Sequence, residues 1–127
     1  MSTALAPLPL VSRVIGRDEI LAYAEITGDF NPVHVDEAFA AATPFGKPIA
    51  HGMLSLNLLW QSLRRGLGTA VPVSLDIRFV RPVLSGTRVT AGGTAREDGP
   101  GYDVWVRDEG GEPVMVGTAI PMQESRP

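Results

Sequence analysis

The chain has 127 residues, 44% of them hydrophobic and 20% charged, with a formal net charge of −3; this suits a single core and gives no reason to expect a nucleic-acid partner. With no cysteine and only two histidines, disulfides and thiolate metal sites are excluded and no metal is expected, although His34 with carboxylates could still hold one. No charged n-region precedes an apolar h-region and no apolar run reaches about 18 residues, so neither a signal peptide nor a membrane span is expected and the chain reads as a cytoplasmic protein.

One domain is expected over 1–127, with the Ala/Pro-rich stretch 1–9 mobile. Leu10 to Ile15 reads as a first strand ended by Gly16. Asp18 and Glu19 then open a helix, since acidic residues suit its first turn. Ile20, Tyr23, Ala24 and Thr27 give that helix one apolar face, and Gly28 is its expected stop. From Asp29 to Val35 the chain cannot form one regular helix. Pro32 has no N–H and disfavours helical geometry at Asn31, while Gly28 and Asn31 tolerate tight turns. Asp36 is placed to cap a short helix, Glu37 to Ala42, and Thr43 to Pro48 is a loop by composition.

The next helix is expected from Gly52 to Arg65, closed by Gly66. Met53, Leu54, Leu56, Leu58, Leu59, Trp60 and Leu63 leave it almost no polar face, which predicts burial nearly all round. The rest is strand. Val71, Val73, Leu75, Ile77 and Phe79 alternate with Pro72, Ser74, Asp76 and Arg78, and Pro82 marks the end of pairing. Thr87 to Glu97 is interrupted by Gly92-Gly93, a sign of a bulge or strong curvature. Tyr102 to Asp108 and Pro113 to Met122 pair across a Glu/Gly turn. A strand, then helices, then four strands make an α+β fold with an antiparallel sheet.

The chemistry-bearing residues gather in two places. Asp29 and His34 stand on the two arms of the bend and are expected to converge; the plainer readings are a turn residue for Asp29 and a packed or surface histidine for His34. His51-Gly52-Met53 opens the apolar helix, where backbone N–H groups are free to bind something electron-rich. Gly52 either lets a substrate approach or merely permits tight packing.

Gly28-Asp29-x-Asn31-Pro32-x-His34 followed by His51-Gly52-Met53 resembles the MaoC-like, (R)-specific enoyl-CoA hydratase family, over roughly residues 10 to 122. The resemblance implies the hotdog fold, a curved antiparallel sheet wrapped around a long central helix. It implies that Asp29 and His34 hold one water beside the double bond of a trans-2-enoyl thioester, and that the Gly52 N–H stabilises the thioester oxygen. Asn31, His51 and Met53 are its candidate substrate-binding residues. Asn31 either only satisfies the turn or orients the water or His34, and His51 is expected to be structural rather than catalytic. Coenzyme A enters as part of the substrate, and no separate cofactor is implied. Lys47, Arg64, Arg65, Arg78, Arg81 and Arg88 are candidates for the phosphates of an acyl-CoA or acyl-carrier thioester. A homodimer with the two sheets continued edge to edge is expected. The alternatives are a hotdog thioesterase, or the active subunit of a heterodimeric dehydratase.

Overall fold

A computed structural model describes residues 6–122. Its elements are β1 (Leu8–Ile15), α1 (Arg17–Thr27), α2 (Pro32–Val35), α3 (Glu37–Ala41), α4 (Gly52–Leu67), β2 (Val73–Phe79), β3 (Thr87–Ala95), β4 (Tyr102–Asp108) and β5 (Pro113–Pro121). Turn chemistry joins β3, β4 and β5 in succession. The Asp108 carboxylate, for example, accepts from the N–H groups of Gly110 at 2.9 Å and Glu112 at 3.0 Å, closing the β4–β5 hairpin. β1 then adds to β3 and β2 to β5, giving an antiparallel five-stranded sheet in the order β1-β3-β4-β5-β2.

One face of this sheet meets α4. Val11, Ile15, Val89, Ala91, Val104, Val106, Met115 and Ala119 are buried there with Leu58, Leu59 and Leu63 of α4 and Ile20 of α1. Each large aliphatic side chain so withdrawn from water contributes about 1.5–3 kcal/mol. This is the hotdog arrangement, a sheet laid around a central helix.

Four details differ from the sequence expectations. β1 begins at Leu8, which is buried, so Leu8 and Pro9 belong to the sheet rather than to a mobile stretch; residues 1–5 lie outside the described residues. Pro9 is accommodated at an irregularity of an edge strand, where proline is tolerated. Leu8 pairs with Gly93 and Val11 with Ala91, so β1 carries one residue more than β3. The bulge suggested by Gly92-Gly93 thus lies on the partner strand. The glycines make room for what crosses them: a Cβ on Gly92 would lie 2.7 Å from Leu10 Cδ2 and 2.8 Å from Trp105 Cη2.

The second difference is at the end of α4. Gly66 does not stop the helix, which runs on to Leu67 and ends at Gly68, whose N–H donates to the Arg64 carbonyl at 2.8 Å. A Cβ on Gly66 would stand 2.9 Å from Leu8 Cδ2 and 3.0 Å from Pro9 Cδ, so this glycine lets β1 cross the helix. Third, α4 is not buried all round. Ser55, Leu58, Leu59, Ser62 and Leu63 are buried, while Met53 and Trp60 are exposed, because one sheet can cover only one side of a helix. Last, the inward residues of β2, Val73, Leu75 and Ile77, are only half-buried and Phe79 is exposed; β2 is an edge strand and has a neighbour on one side only. Among the described residues no helix is long and apolar enough to cross a membrane.

Candidate active site

The bend is built by side chains that cap their own backbone. α1 ends at Gly28, which takes a left-handed conformation at φ 75° and donates its N–H to Ala24, a geometry glycine adopts without Cβ strain. Asp29 Oδ1 then accepts from the Asn31 N–H at 3.2 Å, and Asn31 Oδ1 accepts from the Val33 N–H at 3.1 Å. Pro32 stands at the first position of α2, where its missing N–H costs nothing. The chain therefore reverses sharply and returns His34 to the side on which Asp29 lies.

His34 is fixed from behind. Its Nδ1 lies 2.7 Å from the Ile49 carbonyl oxygen. A carbonyl can only accept, so Nδ1 carries the hydrogen and the neutral ring presents its lone pair at Nε2. That Nε2 is 4.0 Å from Asp29 Oδ2. The separation is too long for a direct hydrogen bond and right for one shared water about 2.8 Å from each atom. Each group is thus held by one atom and offers the other: Asp29 is held at Oδ1 and free at Oδ2, His34 held at Nδ1 and free at Nε2.

His51 ties this pair to the start of α4. It is only 4% exposed, and its Nε2–H donates to the Asp29 carbonyl at 3.0 Å. Its ring stacks on His34 at 4.0 Å between centroids and 29° between planes, with Tyr23 tilted against it at 5.0 Å. Its Nδ1 is buried without a partner. Asp29, His34 and His51 each offer one ligand atom within 4.8 Å of the others. His51 Nε2, 4.0 Å from Asp29 Oδ2, already donates to the Asp29 carbonyl, so its use as a metal ligand would require that bond to break.

Gly52 is the first residue of α4, and no side chain caps this helix start. A cleft of about 400 Å³ opens there, lined among others by His34, His51, Gly52, Ser55, Phe79 and Arg81. The Phe79 ring lies over the glycine, 3.0 Å from where a Cβ would stand. A second cavity of about 450 Å³, lined by Tyr23, Leu54 and Leu58 among others, lies between α1 and α4 and includes neither Asp29 nor His34.

The structure therefore brings Asp29, His34, His51 and Gly52 together. Asn31 is exposed and its oxygen caps α2, which is the turn reading of that residue. Met53, 53% exposed, does not line the cleft; one residue past Gly52 is about 100° around a helix of 3.6 residues per turn. Of the candidate phosphate contacts only Arg81 lines the cleft, while the Arg88 guanidinium lies against Ser12. Sequence reasoning missed Ser55 and Phe79. A serine in a leucine-rich helix reads as a spacer, and Phe79 reads as one more inward strand residue.

Comparison with known proteins places the chain among others of this shape. The family described as MaoC like domain matches residues 5–101. An (R)-specific enoyl-CoA hydratase of Aeromonas caviae is 37% identical over 117 residues, 87% of each chain. A 3-hydroxybutyryl-CoA dehydratase of Methylorubrum extorquens is 39% identical over 83 residues, 61% of this chain and 50% of that one; the chain spans about half the length of that relative. Among solved structures, the A. caviae (R)-hydratase has a TM-score of 0.79 at 34% identity, covering 93% of this chain and 94% of that one. The R-hydratase PhaJ1 of Pseudomonas aeruginosa, in its unliganded form, has a TM-score of 0.80 at 28% identity, covering 99% and 91%.

Proposed function

The chain belongs to the MaoC-like family of hydratases and dehydratases, which are lyases, and from that premise we propose that it is a cytoplasmic enzyme adding water to the double bond of a trans-2-enoyl-CoA. The product is the (R)-3-hydroxyacyl thioester, and the same groups serve the reverse dehydration, on a coenzyme A or acyl-carrier thioester. The observation that carries the reading is the pair of free atoms, Asp29 Oδ2 and His34 Nε2, 4.0 Å apart beside an uncapped helix start.

One water bridges the pair. As its oxygen forms a bond to the β-carbon, one O–H bond breaks and the proton passes to Oδ2 or Nε2. The π electrons move toward the thioester oxygen, where the Gly52 N–H receives the developing charge. The pair then delivers that proton to the α-carbon on the same face, so that H and OH are both added and the two groups end as they began. His51 holds the Asp29 backbone in place. Coenzyme A belongs to the substrate, and no further cofactor enters the scheme. The test is loss of the conjugated enoyl absorbance with a series of enoyl-CoA substrates, followed by the chirality of the product. Release of free thiol in its place would identify a thioesterase and overturn the reading.

The working unit in this proposal is a homodimer. β2 leaves one side of its backbone unpaired at the sheet edge, and Met53, Trp60, Phe79 and Val80 are exposed on the same protomer. A second copy continuing the sheet would pair the edge and cover apolar surface. Light scattering is expected to give twice the chain mass of 13.5 kDa; a monomer at micromolar concentration, or stable assembly only with a different chain, would rule the homodimer out.

A further inference from the structure

We propose that Ser55 is a further catalytic residue, its hydroxyl donating to the thioester oxygen alongside the Gly52 N–H. The inference rests on the hydratase reading above and goes beyond it in naming the second donor. Ser55 is only 3% exposed yet lines the cleft with His34, His51 and Gly52, so the little surface it has faces the place where the substrate would lie. It stands one turn beyond Gly52 on α4. Residues three apart share a helix face, and helical side chains lean toward the N-terminus. The Ser55 side chain accordingly leans back toward the Gly52 N–H.

Its hydroxyl also differs from the other serine and threonine hydroxyls within the described helices. Ser62 Oγ, on the same helix, donates to the Pro9 carbonyl. Thr27 Oγ1 donates to Tyr23 at 2.8 Å. Among the described residues no hydrogen bond engages Ser55 Oγ, and it is not among the fully enclosed atoms that lack a partner. A hydroxyl in a nearly buried position is costly unless something arrives to pair with it, and a leucine or alanine would suit the apolar face better. A thioester oxygen has two lone pairs and can accept from both an N–H and an O–H. As water adds to the β-carbon and charge collects on that oxygen, both hydrogen bonds strengthen. Ser55 keeps its own proton throughout and forms no covalent bond.

Ser55→Ala and Ser55→Cys test this. Alanine is the better helix former, so folding is expected to survive, with circular dichroism as the check. In hydration assays kcat is expected to fall by about 10²-fold in Ser55→Ala with KM near wild type, and Ser55→Cys, a weaker donor, to fall between the two. If Ser55 only filled space, activity would follow side-chain volume instead. The second readout is the infrared carbonyl band of bound butyryl-CoA, a saturated thioester that cannot react. A donor weakens the C=O bond, so the band is expected to move to higher frequency in Ser55→Ala. Wild-type kcat in Ser55→Ala, or an unmoved band, overturns the proposal while leaving the hydratase reading intact. Absence of any hydration by the wild-type enzyme overturns both.

Discussion

Among the described residues there are four helix starts, and they are treated in two ways. Three are closed by a side chain: Glu19 accepts from the Gly16 N–H before α1, Asn31 from Val33 in α2 and Asp36 from Phe39 in α3. The fourth, α4, has neither a side-chain cap nor an acidic residue in its first turn, although it is the longest of the described helices and carries the core. Its other end is closed, by the Gly68 N–H on the Arg64 carbonyl and by Arg64 and Arg65 in the last turn, where basic side chains favour the helix dipole. An N-terminus left open on the central helix keeps N–H groups and partial positive charge available. The cleft with His34 opens at that end. Among the described helices, a side chain thus engages the start of every one except the helix whose free N–H groups the proposed chemistry uses.

The largest expected effect comes from removing what faces the open end. Asp29→Asn keeps the turn-forming oxygen but loses the charge, and is expected to lower the hydration rate by about 10²- to 10⁴-fold. His34→Ala should lose a similar factor, and the double mutant should be little worse than the poorer single one, because groups acting on one water are non-additive. A folded Asp29→Asn enzyme keeping more than about a tenth of wild-type activity, well outside that range, would reduce Asp29 to a turn residue.

Next comes closing the open end itself. Gly52→Val forces the Phe79 ring aside and crowds the thioester oxygen, with an expected loss of about 10²- to 10³-fold in kcat. Phe79 is 53% exposed and can swing away, so thermal stability should change little. Near-normal turnover by this mutant would remove Gly52 from the mechanism. The mirror experiment is Gly66→Val near the closed end, which drives a side chain into Leu8 and Pro9 and is expected to cost about 1–3 kcal/mol of stability. Urea unfolding should show a lower midpoint with an unchanged slope, and kcat per folded molecule should stay at the wild-type value. If Gly66→Val lowered kcat as well, the two ends would not be functionally separate.

What could be read from the sequence was whatever is decided locally. Gly28, Asn31 and Pro32 dictate the reversal between Asp29 and His34 with no help from distant residues, and the alternation of Val73, Leu75 and Ile77 identifies β2 directly. Errors arose where a distant contact decides. Gly66 looks like a helix stop, but its role is to let Leu8 and Pro9 pass. Leu8-Pro9 looks like loop, but a bulge opposite Ala91 and Gly93 takes it into the sheet. Met53 and Trp60 look like core, but the sheet lies on the other side of α4. Within the site, the convergence of Asp29 with His34 was legible. The stacking of His51 on His34, the Phe79 ring over Gly52 and the hydroxyl of Ser55 were not, since each depends on elements far apart in the chain or on which way a helix face points.

The strand order has a consequence for how the chain reaches this state. β2 pairs only with β5, and β5 pairs with both β4 and β2, so the strand that follows the central helix has no partner until the last described strand has formed. Closing so long a loop before any contact rewards it is slow. During that interval β2, with alternating apolar residues and unpaired backbone, is the segment most exposed to pairing with the wrong neighbour. The charges of Asp76 and Arg78 on its outward face stand where such a neighbour would stack, and oppose it by carrying water with them.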